Sequence, residues 1–171
     1  MPKVILIGPP GSGKSSVGRA LAKAINLTFS DTDSLIEAVA GKKISTIFVD
    51  DGEASFREME VSVVDQALKH ESGVLSLGGG SVMNEHSRNS IQSSSAMKVF
   101  LQVGIGQAAP RIGFNQDRPM LLINPRQTWM ALLQERLPYY EALADLTIST
   151  DSKKPHDVAM EIVEALKESN G

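Results

Sequence analysis

Val4-Ile5-Leu6-Ile7 is an unbroken apolar run rich in β-branched side chains, the pattern of a strand covered on both faces. A glycine-rich stretch follows, then Val17, Leu21 and Ile25 at four-residue intervals, which predicts a helix with one apolar stripe. Leu27 to Phe29 is a second short strand running into Asp31-Thr32-Asp33, and Leu35, Ile36 and Val39 mark a short helix closed by Gly41. From Gly52 onward Phe56, Met59, Val63, Ala67 and Leu68 trace a long helix face. Val74 to Leu77, Met97 to Val103 and Leu146 to Ser149 read as three more strands. Asn124-Pro125 opens a helix that runs through Trp129, Leu133 and Arg136 until Pro138 breaks it. Val158, Ile162 and Leu166 give the last stripe.

Strands alternating with helices imply parallel β-α-β units. The expectation is a three-layer α/β/α fold around a parallel sheet of about five strands. At 171 residues the chain makes one domain over 1–171. Only Ser93-Ser94-Ser95 and the segment Gly113 to Asp117 read as loosely held, and residues 112–124 are the expected mobile lid.

Apolar residues at 42% and charged ones at 22% are ordinary for a soluble domain. A net charge of -3 gives no pull toward nucleic acid or an anionic membrane. With no cysteine, thiolate ligands, disulfides and a cysteine nucleophile are excluded. No apolar run approaches the roughly 18 residues of a membrane span, and Gly8 ends the first strand too early for a signal-peptide core. A cytoplasmic protein is expected.

The chemistry starts at Gly8-Pro9-Pro10-Gly11-Ser12-Gly13-Lys14-Ser15. Gly8, four intervening residues and then Gly-Lys-Ser form a P-loop, whose backbone N–H groups surround phosphate at a helix N-terminus. Gly11, Ser12, Gly13 and Ser16 belong to that cradle, Lys14 supplies a positive charge at the outer phosphates, and Ser15 offers a hydroxyl to Mg²⁺. A P-loop by itself specifies nucleotide binding and no more.

The acceptor side is drawn from more scattered residues. Asp31 and Asp33 point to one side if the strand persists, so one suits Mg²⁺ and the other a substrate hydroxyl; Asp33 also fits as a helix N-cap. Ser76 stands near a strand end where many P-loop proteins carry an acid, which leaves Asp31 as the metal-side carboxylate. Arg57 and Glu60 share a helix face. Their spacing leaves open whether Arg57 grips a carboxylate with Glu60 orienting it, or the two form a surface pair. Gly78-Gly79-Gly80 lets a ligand approach the backbone. Arg118-Pro119 follows the loose Gly113 to Asp117 segment, and by itself leaves open an ordinary exposed arginine or a closing loop that stabilises transferring phosphate.

Taken together these residues resemble the shikimate kinase family, over nearly the whole chain. Asp51-Gly52-Glu53-Ala54-Ser55-Phe56-Arg57 with Glu60 is similar to its most telling signature. Asp31-Thr32-Asp33, Leu75-Ser76-Leu77-Gly78-Gly79-Gly80 and Arg118-Pro119-Met120-Leu121 look like its Asp-x-Asp, strand-end and lid motifs. The resemblance implies a P-loop kinase fold with a lid and an acceptor-binding region at about 33–61. It implies ATP and Mg²⁺, with transfer to the 3-hydroxyl of shikimate. Asp33 would hold shikimate hydroxyls, Arg57 and Arg136 its carboxylate, and Gly79-Gly80 would lie alongside. Lys14 and Arg118 would contact the transferring phosphate, with Ser15 and Asp31 placing Mg²⁺. Arg111, Lys153 and Pro155 would surround adenine, although Pro110 bends or shortens the helix presenting Arg111. A monomer with no nucleic-acid or membrane partner is expected. A kinase of another sugar acid, such as gluconate, and a nucleotide-binding switch without turnover are the competing readings.

Overall fold

A computed structural model describes residues 1–112 and 124–171. Five strands form one parallel sheet: β1 (Pro2–Ile7), β2 (Phe29–Asp31), β3 (Gly73–Ser76), β4 (Met97–Gln102) and β5 (Leu146–Ser149), in the order β2-β3-β1-β4-β5. The helices are α1 (Lys14–Ala24), α2 (Thr32–Ala40), α3 (Ile44–Asp50), α4 (Gly52–His70), α5 (Glu85–Ser93), α6 (Ile105–Ile112), α7 (Pro125–Leu143) and α8 (Pro155–Asn170).

Alternation along β1 divides the core into two. Val4 and Leu6 pack against Val17 and Leu21 of α1 and Val158 and Ile162 of α8. Ile5 and Ile7 face the other way, toward Val64 of α4, Ile91 of α5 and Tyr140 of α7. Helices therefore cover both faces, as a parallel sheet requires. Central β1 is flanked by β3 and β4, so the crevice beyond its carboxyl end is where ligands collect in such sheets. A smaller cluster of Ile36, Ile47, Phe56 and Val63 packs α2, α3 and α4 together beside that end.

The structure corrects three local expectations. Pro138 does not break its helix; α7 continues to Leu143. Proline removes one amide donor, here the bond to the Gln134 carbonyl. Gln134 and Pro138 are both exposed, so water reaches that carbonyl, while the turn beyond Pro138 buries Tyr140 and Leu143. Ser94 is held rather than loose: it is buried, its hydroxyl accepts from the Ala96 N–H at 3.2 Å, and its carbonyl takes the Lys98 ammonium at 2.9 Å. Finally, α6 keeps helical geometry through Pro110 to Ile112. The expected lid, with Phe114 and Arg118, lies outside the described residues save for Ile112 and Asn124. Among the described residues no helix is long and apolar enough to cross a membrane.

Tyr140 is fully buried, stacked on Phe100 at 5.1 Å, with its hydroxyl donating to the Gly79 carbonyl at 2.5 Å. Burial, and to a lesser degree the Glu60 charge, push its pKa from 10.0 up to about 12, against the opposing pull of Arg136. Below pH 10 the phenol is neutral whether the chain is folded or not, and its contribution is fully present. Between pH 10 and about 12 only the unfolded chain ionises, so stability is lost as pH rises, by about 3 kcal/mol in all. Denaturant melts across that interval should show this loss in the wild type and its absence in Tyr140→Phe. Equal losses in the two proteins would contradict the assignment.

Candidate active site

The P-loop leaves β1 at Gly8 and enters α1 at Lys14. Gly13 caps α1 with φ 91° and Gly11 has φ 81°, left-handed values that turn the intervening amides inward and that side chains other than glycine rarely adopt. Gly11 has a second reason to be glycine: a Cβ there would lie 2.9 Å from the Ala108 carbonyl. Lys14 Nζ arcs over the loop to the Gly8 and Pro9 carbonyls at 2.7 and 3.0 Å. The loop is clamped from outside. The Thr150 hydroxyl, at the end of β5, donates to the Ser12 carbonyl at 3.0 Å, and the Trp129 indole N–H of α7 donates to Pro10 at 2.8 Å.

Asp31 ends β2, directly across from Ser76 of β3. Its Oδ2 accepts from the Ser15 hydroxyl at 3.0 Å, and its Oδ1 accepts from the Asp33 N–H at 2.9 Å. Asp31, rather than Asp33, is therefore the N-cap of α2. The chain turns helical at Thr32, so strand alternation does not align the two carboxylates. The first turn of α2 does so instead, and both line a cleft of about 370 Å³ with Gly11, Gly13, Lys14 and Ser15. Ser16, Gly79 and Arg111 share that lining. A hydroxyl and a carboxylate meeting beside a phosphate cradle are hard oxygen donors of the kind Mg²⁺ takes, with waters and phosphate completing its shell.

Gly78-Gly79-Gly80 forms the floor beside the P-loop, and each glycine clears space for a different group. A Cβ at Gly78 would lie 2.8 Å from Asp33 Oδ1 and 3.1 Å from Glu60 Oε2. At Gly79 it would lie 3.2 Å from Pro10 and 3.3 Å from an Arg136 nitrogen, and at Gly80 it would overlap the Arg57 guanidinium. Gly80 has φ -91°, open to any residue, so space rather than backbone freedom demands glycine there. The Gly78 N–H is held by the Thr32 hydroxyl at 3.0 Å.

Two guanidinium groups thus stand over adjacent glycines. Arg57 bonds Glu60 at 2.8 Å, and Glu60 is 3% exposed, so this pair is not the surface ion pair its spacing also allowed. Arg57 also lies 3.6 Å from Glu53 and 5.1 Å over the Phe56 ring. Arg136 is 5% exposed, lies close enough to Tyr140 to pull its pKa down, and has no carboxylate partner among the described residues. A buried guanidinium in that condition calls for an anion.

On the opposite flank Arg111 donates to the Gly11 carbonyl at 3.1 Å and to the Thr150 hydroxyl and carbonyl at 3.2 and 3.3 Å. Those bonds join it to the start of the loop that carries Lys153 and Pro155. Lys153 itself pairs with Glu161 at 3.1 Å, Pro155 opens α8, and neither lines the cleft. Sequence reasoning missed Thr32, Trp129, Tyr140 and Thr150. Each acts through hydrogen bonds to groups distant in the chain, which no local pattern announces.

The family model described as shikimate kinase matches residues 10–167. The shikimate kinase of Thermobifida fusca is 47% identical over 165 residues, covering 96% of this chain and 95% of that one. That of Salinispora arenicola is 45% identical over 165 residues, covering 96% and 98%. Among solved structures, shikimate kinase from Acinetobacter baumannii in complex with shikimate superposes with a TM-score of 0.94 at 32% identity, covering 99% of this chain and 94% of that one. A gluconokinase from Sinorhizobium meliloti, at 18% identity and a TM-score of 0.58, shares the fold alone. With its P-loop facing a glycine floor under two arginines, and with matches of this extent, the chain belongs to the shikimate kinase family.

Proposed function

We propose that this protein transfers the γ-phosphate of ATP to the 3-hydroxyl of shikimate, giving shikimate 3-phosphate and ADP. One observation carries the reading: Asp33, Arg57 and Arg136 converge over Gly78-Gly79-Gly80 on the P-loop side of the sheet. Shikimate has a carboxylate for the two guanidinium forks and hydroxyls for Asp33, so its chemistry matches both ends of that floor.

ATP lies with its phosphates on the amides of Gly11, Ser12, Gly13 and Lys14, and with Ser16 at the helix start. Ser15, with Asp31 beside it, would hold Mg²⁺, which would supply neutralisation of phosphate charge. Arg136 and Arg57 fix the acceptor carboxylate, and Glu60 fixes Arg57. Asp33 orients the hydroxyl and receives its proton during transfer. The loose transition state of phosphoryl transfer depends on positioning and charge more than on a strong base. Lys14 and, from the lid, Arg118 stabilise the charge of the moving group. Arg111, with Lys153 and Pro155, borders the adenine. The reading has a monomer working in the cytoplasm.

A coupled assay of ADP release with ATP, Mg²⁺ and either shikimate or gluconate tests the substrate. Shikimate-dependent turnover is expected; turnover with gluconate alone would overturn the reading. Arg136→Ala should weaken shikimate by about 2–5 kcal/mol, because a buried carboxylate loses its fork, with ATP affinity within twofold. Gly80→Ala should act in the same direction, since its methyl displaces Arg57. Calorimetric titration separates the two ligands, and equal loss of ATP affinity would contradict this division.

A further inference from the structure

Helix α7 touches both halves of the cleft through residues that sequence patterns do not mark. Its Trp129 indole donates to Pro10, inside the phosphate loop, and its Tyr140 hydroxyl donates to Gly79, inside the glycine floor. Those two acceptors are neighbours across the seam: a Cβ on Gly79 would sit 3.2 Å from Pro10 and 3.4 Å from the Gly8 carbonyl. Arg136 lies between the two anchors in the chain, its charge close enough to Tyr140 to lower the phenol's pKa, and stands over the same glycine.

The spacing suits a rigid connection. Residues 129, 136 and 140 fall on one side of a helix, and eleven residues span about 16 Å. Both anchors are immobilised by packing. Trp129 is 2% exposed among Val103, Ala108 and Ile112, and Tyr140 is stacked on Phe100 of β4. A phenol this deeply buried stays protonated at neutral pH, so it acts as a donor to the Gly79 carbonyl.

We propose that α7 is a brace setting the relative position of the phosphate loop and the glycine floor, with Trp129 and Tyr140 as its positioning residues. Neither touches substrate. Trp129 fixes the loop, Tyr140 fixes the floor and steadies Arg136, and the helix between them holds the distance that in-line transfer requires. The role in transfer rests on the acceptor assignment above; the mechanical coupling does not.

Tyr140→Phe and Trp129→Phe each delete one hydrogen bond while keeping a ring in place. Amide hydrogen exchange on the full chain reads the coupling with no acceptor present. A brace predicts that Tyr140→Phe speeds exchange at Gly11 to Lys14 as well as at Gly79 and Gly80, and that Trp129→Phe loosens both regions in turn. Change confined to the loop that lost its own bond would overturn it. With shikimate and ATP saturating, each variant should lower kcat about fivefold, the scale of one hydrogen bond. The double variant should fall about fivefold as well, because a brace released at one end no longer acts at the other. A multiplicative drop of about 25-fold would mean two independent contacts and would overturn the brace. A lower melting temperature with kcat unchanged would reduce both residues to packing. If Tyr140→Phe does not fold, the exchange and kcat of Trp129→Phe decide alone. Wild-type turnover, measured first, tests the substrate reading separately.

Discussion

Three missing side chains organise this site. Where Gly78, Gly79 and Gly80 would each carry a Cβ, the structure places Asp33 and Glu60, then Pro10 and Arg136, then Arg57. In a close-packed interior such space is claimed by one group or another. Here it is claimed by side chains from α2, α4 and α7 and by the phosphate loop, so four separate elements reach one surface. The sheet order makes this possible. β3, which ends in the glycines, is the direct neighbour of β1, which ends in the P-loop, so donor and acceptor sites share a wall.

Charge follows from the same arrangement. Glu60 is buried against Arg57 and balances it, which fixes the guanidinium. Arg136 lacks such a counter-ion among the described residues and lies near Tyr140. A buried positive charge without a counter-ion carries a desolvation penalty that a bound carboxylate relieves. The floor is thereby tuned for an anion, and the cleft beside it offers Asp31 and Asp33 to a cation and a hydroxyl.

Much of this was legible in the sequence because local rules apply to it. The P-loop, the glycine stop at Gly41 and the unbroken apolar run of Val4 to Ile7 all declare themselves within a few residues. Three helices did not. In α5 the buried positions are Ser87 and Ile91, too few for an apolar stripe, and α3 buries Ile47 alone. The short α6 is expected only through the family resemblance, as the helix presenting Arg111. The end of α7 was misplaced because a proline rule written for isolated helices ignored the burial of Tyr140 beyond it. Spacing singles out Arg57 and the family resemblance adds Arg136, yet their meeting over two adjacent glycines is a tertiary fact. So are the bonds of Trp129 and Tyr140 to carbonyls 119 and 61 residues away.

The central physical claim is that the glycine floor orients the acceptor, with its carboxylate toward the arginines and its reacting hydroxyl toward the phosphate loop. A crystal structure of the protein with ADP, Mg²⁺ and shikimate measures that orientation directly. The account predicts the carboxylate on Arg57 and Arg136 above Gly79 and Gly80, with the 3-hydroxyl between Asp33 and the β-phosphate of ADP. Shikimate bound with its carboxylate against Lys14, or seated away from the glycines, would contradict it.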